Sequence, residues 1–178
     1  MPDLSTISLK CRYYRNYPPQ GYAEEVVTLP RLNTAFLIID VYGLGFDQGS
    51  SYGEVSELYK TSVDLYRNTV INFIQPAKAA AKRFGFPVIY LTNYLAPSTT
   101  SENEWRKMSM RTCGVDVLDE WKEPTDIFRY SKVIAPQEGD YLIKKQHYSG
   151  FFETHLESLL KELDTHNLSW WVSTPIYA

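Results

Sequence analysis

Residues 34–39 read Thr-Ala-Phe-Leu-Ile-Ile and run straight into Asp40. An apolar run without alternation marks a strand covered on both faces, which occurs almost only in parallel sheets flanked by helices. A second such run, Pro87-Val-Ile-Tyr-Leu91, follows after a long stretch whose apolar residues recur at helical spacing: Val55, Leu58, Tyr59, Val63, Tyr66, Val70, Phe73, Ala77, Ala80 and Phe84. Pro76 interrupts that stretch and predicts two helices or a kinked one, and Gly85 supplies its stop. Strand, helix and parallel strand make a βαβ unit with a right-handed crossover.

Further elements repeat the alternation. Residues 136–140 (Pro-Gln-Glu-Gly-Asp) predict a turn, and residues 141–144 predict a third strand. Phe151, Phe152, His155, Leu156, Leu159, Leu160 and Leu163 are spaced to share one face of a helix, and a fourth strand is expected over 167–172. Ser101 with Glu104 forms a capping box for a short helix through Met110. The predicted fold class is therefore a three-layer α/β/α sandwich with a mostly parallel sheet, spanning residues 34–178. Residues 1–33 read as a tyrosine-rich arm around Pro18-Pro19-Gln20-Gly21 that lies against the body or a second subunit.

With 178 residues, 44% of them hydrophobic, the chain has enough sequence to bury a core. Eighteen basic against 21 acidic residues suggest no basic face for nucleic acid. No apolar run reaches the roughly 20 residues of a membrane helix, and no leader is evident, so cytoplasm is the expected compartment. Cys11 and Cys113 are too far apart for a CxxC site. Gly43, Gly45 and Gly49 give GxGxxxG, which departs from the dinucleotide fingerprint. His147, His155 and His166 lack metal-binding spacing, so no metal is expected.

In a doubly wound sheet, ligands bind beyond the carboxyl ends of the strands. That places Asp40, Asn93 and Lys145 in one region despite their separation in sequence. Taken alone, Asp40 reads as a loop-capping acid and Lys145 as a solvated lysine.

Their surroundings change that reading. The segments TAFLIIDVYGLGFD, FGFPVIYLTNYL and Lys145-Gln146-His147-Tyr148-Ser149-Gly150-Phe151 resemble the isochorismatase-like cysteine hydrolases, most closely the branch of ureidoacrylate-type amidohydrolases. Thr92-Asn93-Tyr94 lacks the Asp-x-His that gives nicotinamidases their metal. The resemblance implies an isochorismatase-like fold and hydrolysis of a C–N amide or carbamoyl bond of a small molecule by an Asp, Lys and Cys unit. It implies Asp40 as base and Lys145 as its electrostatic partner. It needs no cofactor, and it implies a homo-oligomer in the full-length family. Asn93, Tyr94 and Tyr148 are candidate substrate-binding residues from position.

The family's cysteine follows the fourth strand in a Gly-x-x-Thr-Asn-x-Cys turn, whereas here residues 170–178 read Trp-Trp-Val-Ser-Thr-Pro-Ile-Tyr-Ala. The expectation is a C-terminally truncated member, with its last strands missing and no activity as written. Codon arithmetic suggests why. Trp-Trp-Val is encoded by TGGTGGGT followed by any base, and reading from the third base of codon 169 admits Val-Val-Gly-Phe-Asp-Thr-Asn-Ile-Cys. A frame-shifted or mis-spliced product of such a gene would end this way. Two other readings stay open: a non-catalytic pseudoenzyme using the arm to join partners, and a vinyl-ether hydrolase that needs no thiol.

Overall fold

The computed structural model describes residues 5–43, 64–93, 107–108, 111–112, 114, 130–145 and 149–172, with only the backbone of Val172. The capping box at Ser101 and Glu104 lies outside the described residues.

Four strands form one parallel sheet: β3 (Thr34–Ile39), β4 (Val88–Asn93), β5 (Tyr141–Lys145) and β6 (Asn167–Val172). Their spatial order is β5-β4-β3-β6. The chain winds outward from β3 through β4 to β5, then crosses back to place β6 on the other side of β3. Strand order reverses between β3 and β6, so the carboxyl ends of these two strands flank the switch point, where a doubly wound sheet opens a crevice. The register sets Ile39 beside both Leu91 and Val172, and Asn93 beside Lys145.

Side chains alternate across β3 and β4, and each face has its own core. Phe36, Ile38, Val88 and Tyr90 pack with Val70, Ile74 and Ala81 from the helical side of residues 64–84. Ala35, Leu37, Ile89, Leu91 and Ile143 pack with Leu156 and Leu160 of helix α2 (Leu156–Glu162) on the opposite face. Helices on both faces make three layers, as an uninterrupted apolar strand demands.

The Pro76 expectation resolves into a physical device. A π-helical turn, Val70–Ile74, precedes helix α1 (Gln75–Phe84), and the Gln75 N–H bonds back to the Val70 carbonyl. The widened turn places Pro76 in the first turn of α1, where a missing N–H costs nothing. Gly85, at φ 78°, then closes the helix in the left-handed region.

One expectation needs correction. Helix α2 begins only at Leu156, so Phe151 and Phe152 lie outside it and are exposed, as is His155. The Thr154 hydroxyl bonds the Gly150 carbonyl and accepts the Leu156 N–H at 3.1 Å, competing with helical bonding there. The arm is a hairpin over its described part, with β1 (Thr6–Arg15) antiparallel to β2 (Gly21–Pro30). Ile7, Leu9, Cys11 and Tyr13 share a face with Leu29, Val27 and Ala23, yet among the described hairpin residues only Ile7 packs on the core. In β6, Trp171 lies partly buried against the Phe36 core, while Trp170 is exposed.

Candidate active site

The rim begins with Asp40. Its N–H continues the ladder of β3 by bonding the Leu91 carbonyl at 3.0 Å, but its own φ is 54°. Asp tolerates this left-handed conformation better than most residues, at a cost of order 1 kcal/mol or more. The chain turns there, off the line of the strand.

Lys145, the last residue of β5, follows the same parity as Ile143. Its side chain is 1% exposed, and its ammonium donates to Asp40 Oδ2 at 2.8 Å and to Asn93 Oδ1 at 2.6 Å. The Asp40 side chain keeps 23% of its surface exposed. A buried ammonium needs such partners, because an unpaired one costs several kcal/mol of desolvation. The accessible member of the pair is the carboxylate, with the cation behind it.

Tyr42 is the residue that sequence reasoning missed. Its hydroxyl donates to Asp40 Oδ1 at 2.8 Å and accepts the Asn93 N–H at 2.7 Å. Its carbonyl accepts from the Tyr66 hydroxyl at 2.7 Å, and its ring leans on Tyr130, 5.9 Å between centroids. The Tyr130 hydroxyl in turn donates to the Leu91 carbonyl at 2.6 Å. Burial, then the neighbouring Asp40 charge, pushes the Tyr42 phenol well above the usual tyrosine range, and burial does the same to Tyr130. Both stay neutral donors at any working pH. The available signal was position, since Tyr42 lies two residues past the strand-ending Asp40, but in sequence it looked like part of a glycine-rich loop.

The structure thus brings Asp40, Lys145 and Asn93 together. Tyr94, Tyr148 and Cys113 lie outside the described residues. Cys11 lies in β1, in the separate hairpin sheet. Among the described residues, no cluster of three His, Cys, Asp or Glu side chains could hold a metal ion, and no helix is long and apolar enough to cross a membrane.

Sheet order and rim define the class: a doubly wound α/β domain with a carboxylate and a buried ammonium at the carboxyl end of its strands. Comparison with known proteins makes this more specific. The isochorismatase domain matches residues 61–169, and the chain belongs to the isochorismatase-like hydrolase family. Among curated relatives, a ureidoacrylate amidohydrolase RutB of Agrobacterium fabrum is 27% identical, covering 81% of this chain and 65% of the relative. The same enzyme of Pantoea ananatis is 29% identical, covering 81% and 59%. The chain therefore spans under two thirds of these relatives. Among solved structures, a cysteine hydrolase from Pseudomonas syringae superposes with a TM-score of 0.56 at 19% identity, covering 82% of this chain and 62% of that one. An N-carbamoylsarcosine amidase from Thermoplasma acidophilum gives 0.53 at 18% identity, covering 79% and 67%. These two likenesses concern the fold.

Proposed function

We propose that this chain carries the acid–base half of an amidohydrolase site for a small ureido or carbamoyl compound, within a hydrolase domain spanning 34–178. The observation that carries this reading is the Asp40–Lys145 pair, 2.8 Å apart, with the carboxylate partly exposed and the ammonium sealed behind it. The curated relatives supply the substrate class.

The roles follow from chemistry. A thiol of ordinary pKa is mostly protonated near neutrality and needs a base and a nearby cation to act as a nucleophile. Asp40 takes the thiol proton, and the sulfur attacks the amide carbonyl carbon. When the C–N bond breaks, Asp40 returns that proton to the departing nitrogen. Water then attacks the thioester, giving a proton to Asp40, which passes it back to the sulfur. Lys145 touches Asp40 rather than substrate, so it orients the carboxylate and steadies its charge. Asn93, Tyr94 and Tyr148 contact the substrate. No metal or organic cofactor enters the scheme; the setting is cytoplasmic and the active form a homo-oligomer.

Neither Cys11 nor Cys113 follows the fourth strand, so the 178-residue chain is expected to release no ammonia from ureido or carbamoyl substrates. The same gene expressed through the shifted frame from codon 169 is expected to do so, and Asp40→Asn to lower its kcat about 10²- to 10⁴-fold. Turnover by the 178-residue chain that Asp40→Asn abolishes would contradict the missing thiol. A shifted-frame product inert toward the whole substrate panel would contradict the amidohydrolase reading. Coding DNA whose codons cannot yield the shifted peptide would remove the frame-shift account.

A further inference from the structure

We infer that Tyr42 is the positioning residue of this site: it closes a ring of hydrogen bonds that holds the Asp40 carboxylate in one orientation. The inference rests on the reading of Asp40 as general base, and it adds a residue that neither charge nor motif marked.

A carboxylate held at one oxygen can still swing about its Cβ–Cγ bond. Lys145 holds Oδ2 and Tyr42 holds Oδ1, both at 2.8 Å, so the group is gripped at two points. A carboxylate offers about four lone-pair sites. Among the described residues two are taken by these donors, and the side chain is partly exposed, so the carboxylate keeps acceptor sites for proton transfer.

The direction of donation is set by the partners. An ionised carboxylate only accepts, so the phenol must give its proton to Asp40. The phenol oxygen meanwhile accepts from the Asn93 N–H. Accepting there polarises the O–H and strengthens its donation. Asn93 then closes the circuit, because its side-chain oxygen accepts from Lys145 at 2.6 Å. The path runs from the Asn93 backbone through Tyr42, Asp40 and Lys145 to the Asn93 side chain. It ties together the carboxyl ends of β3, β4 and β5. Tyr42 is itself anchored, by Tyr66 on its carbonyl and by a bridge to Tyr130. The ring therefore hangs from the α1-side core rather than from the exposed rim.

The test uses the whole 178-residue chain as wild type, Tyr42→Phe and Tyr130→Phe. Hydrogen exchange is followed by ¹⁵N NMR at the Asn93 backbone amide and at the Lys145 ammonium. In Tyr42→Phe, which keeps the ring and its tilted contact with Tyr130, both should exchange about tenfold faster, the loss of roughly one hydrogen bond, while other β4 amides keep their rates. Tyr130→Phe removes a purely structural hydroxyl, and its effect should spread along β4 without singling out Asn93 and Lys145. Unchanged exchange at Asn93 and Lys145 in Tyr42→Phe, or an acceleration shared by all of β4, would overturn the assignment. These rates do not depend on turnover, so an inert shifted-frame product would sink the amidohydrolase reading while leaving the exchange result to decide the role of Tyr42.

Discussion

At the scale of single residues, the rim pair is asymmetric, and the asymmetry predicts stability. Lys145 is sealed from water while Asp40 is not. Asp40→Ala strands a buried ammonium with Asn93 Oδ1 as its remaining acceptor among the described residues, and is expected to cost about 3–5 kcal/mol. Asp40→Asn retains an acceptor oxygen and should cost less than half of that. Lys145→Met leaves a carboxylate that water can reach and that Tyr42 still bonds, so its cost is expected to be the smallest of the three. Urea denaturation midpoints rank the variants. Asp40 and Asn93 were legible because each follows or ends an apolar run, whereas Lys145 was picked out by the resemblance carried by residues 145–151. Tyr42 was not legible, because its role depends on reaching Asn93, 51 positions away, and no local pattern encodes that contact.

Among the elements, the opposite end of the sheet is held by charge rather than by packing alone. Asp140, just before β5, is nearly sealed and meets Lys82 at 2.6 Å and Lys78 at 3.5 Å, both from α1. It also accepts the Gln137 N–H at 2.9 Å, and Lys78 donates to the Ala135 carbonyl at 2.8 Å. Burial lowers the Lys78 pKa against the pull of Asp140. This clasp sets where β5 begins, and so where Lys145 ends. Asp140→Ala is expected to destabilise by about 3 kcal/mol, read from the midpoint of chemical denaturation. Strands β3 and β4 were legible because residues covered on both faces need no alternation, whereas the edge strands β5 and β6 alternate between more and less buried positions; the expected bounds 34–39 and 167–172 hold at both ends. The start of α2 was not. Phe151 and Phe152 have helical spacing, but the Thr154 hydroxyl engages the local backbone and delays the helix to Leu156. The hairpin also escaped, although Ile7, Leu9, Cys11 and Tyr13 alternate with Ser8, Lys10 and Arg12 along β1, which is the period-2 signal of a strand.

For the molecule as a whole, three buried phenols give an alkaline signature. Burial raises Tyr42, Tyr90 and Tyr130 above the ordinary value of 10.0. In the unfolded chain they ionise near pH 10, while in the fold they remain protonated. Above pH 10 the folded state thus binds more protons than the unfolded one, and stability falls as pH rises. Each phenol contributes a slope of about 1.4 kcal/mol per pH unit, so the three together give roughly 4. Denaturation midpoints followed from pH 9 to 11 should show a steep loss beginning near 10, less steep in Tyr130→Phe. The layered topology has a further consequence, since the parallel run of β3, β4 and β5 is what brings residues 40 and 145 to the same rim. A double-mutant cycle on the intact chain, pairing Asp40→Asn with Lys145→Met, measures that meeting directly. A coupling of about 1–3 kcal/mol is predicted for groups in contact, and additivity within about 0.5 kcal/mol would mean that the two side chains do not meet.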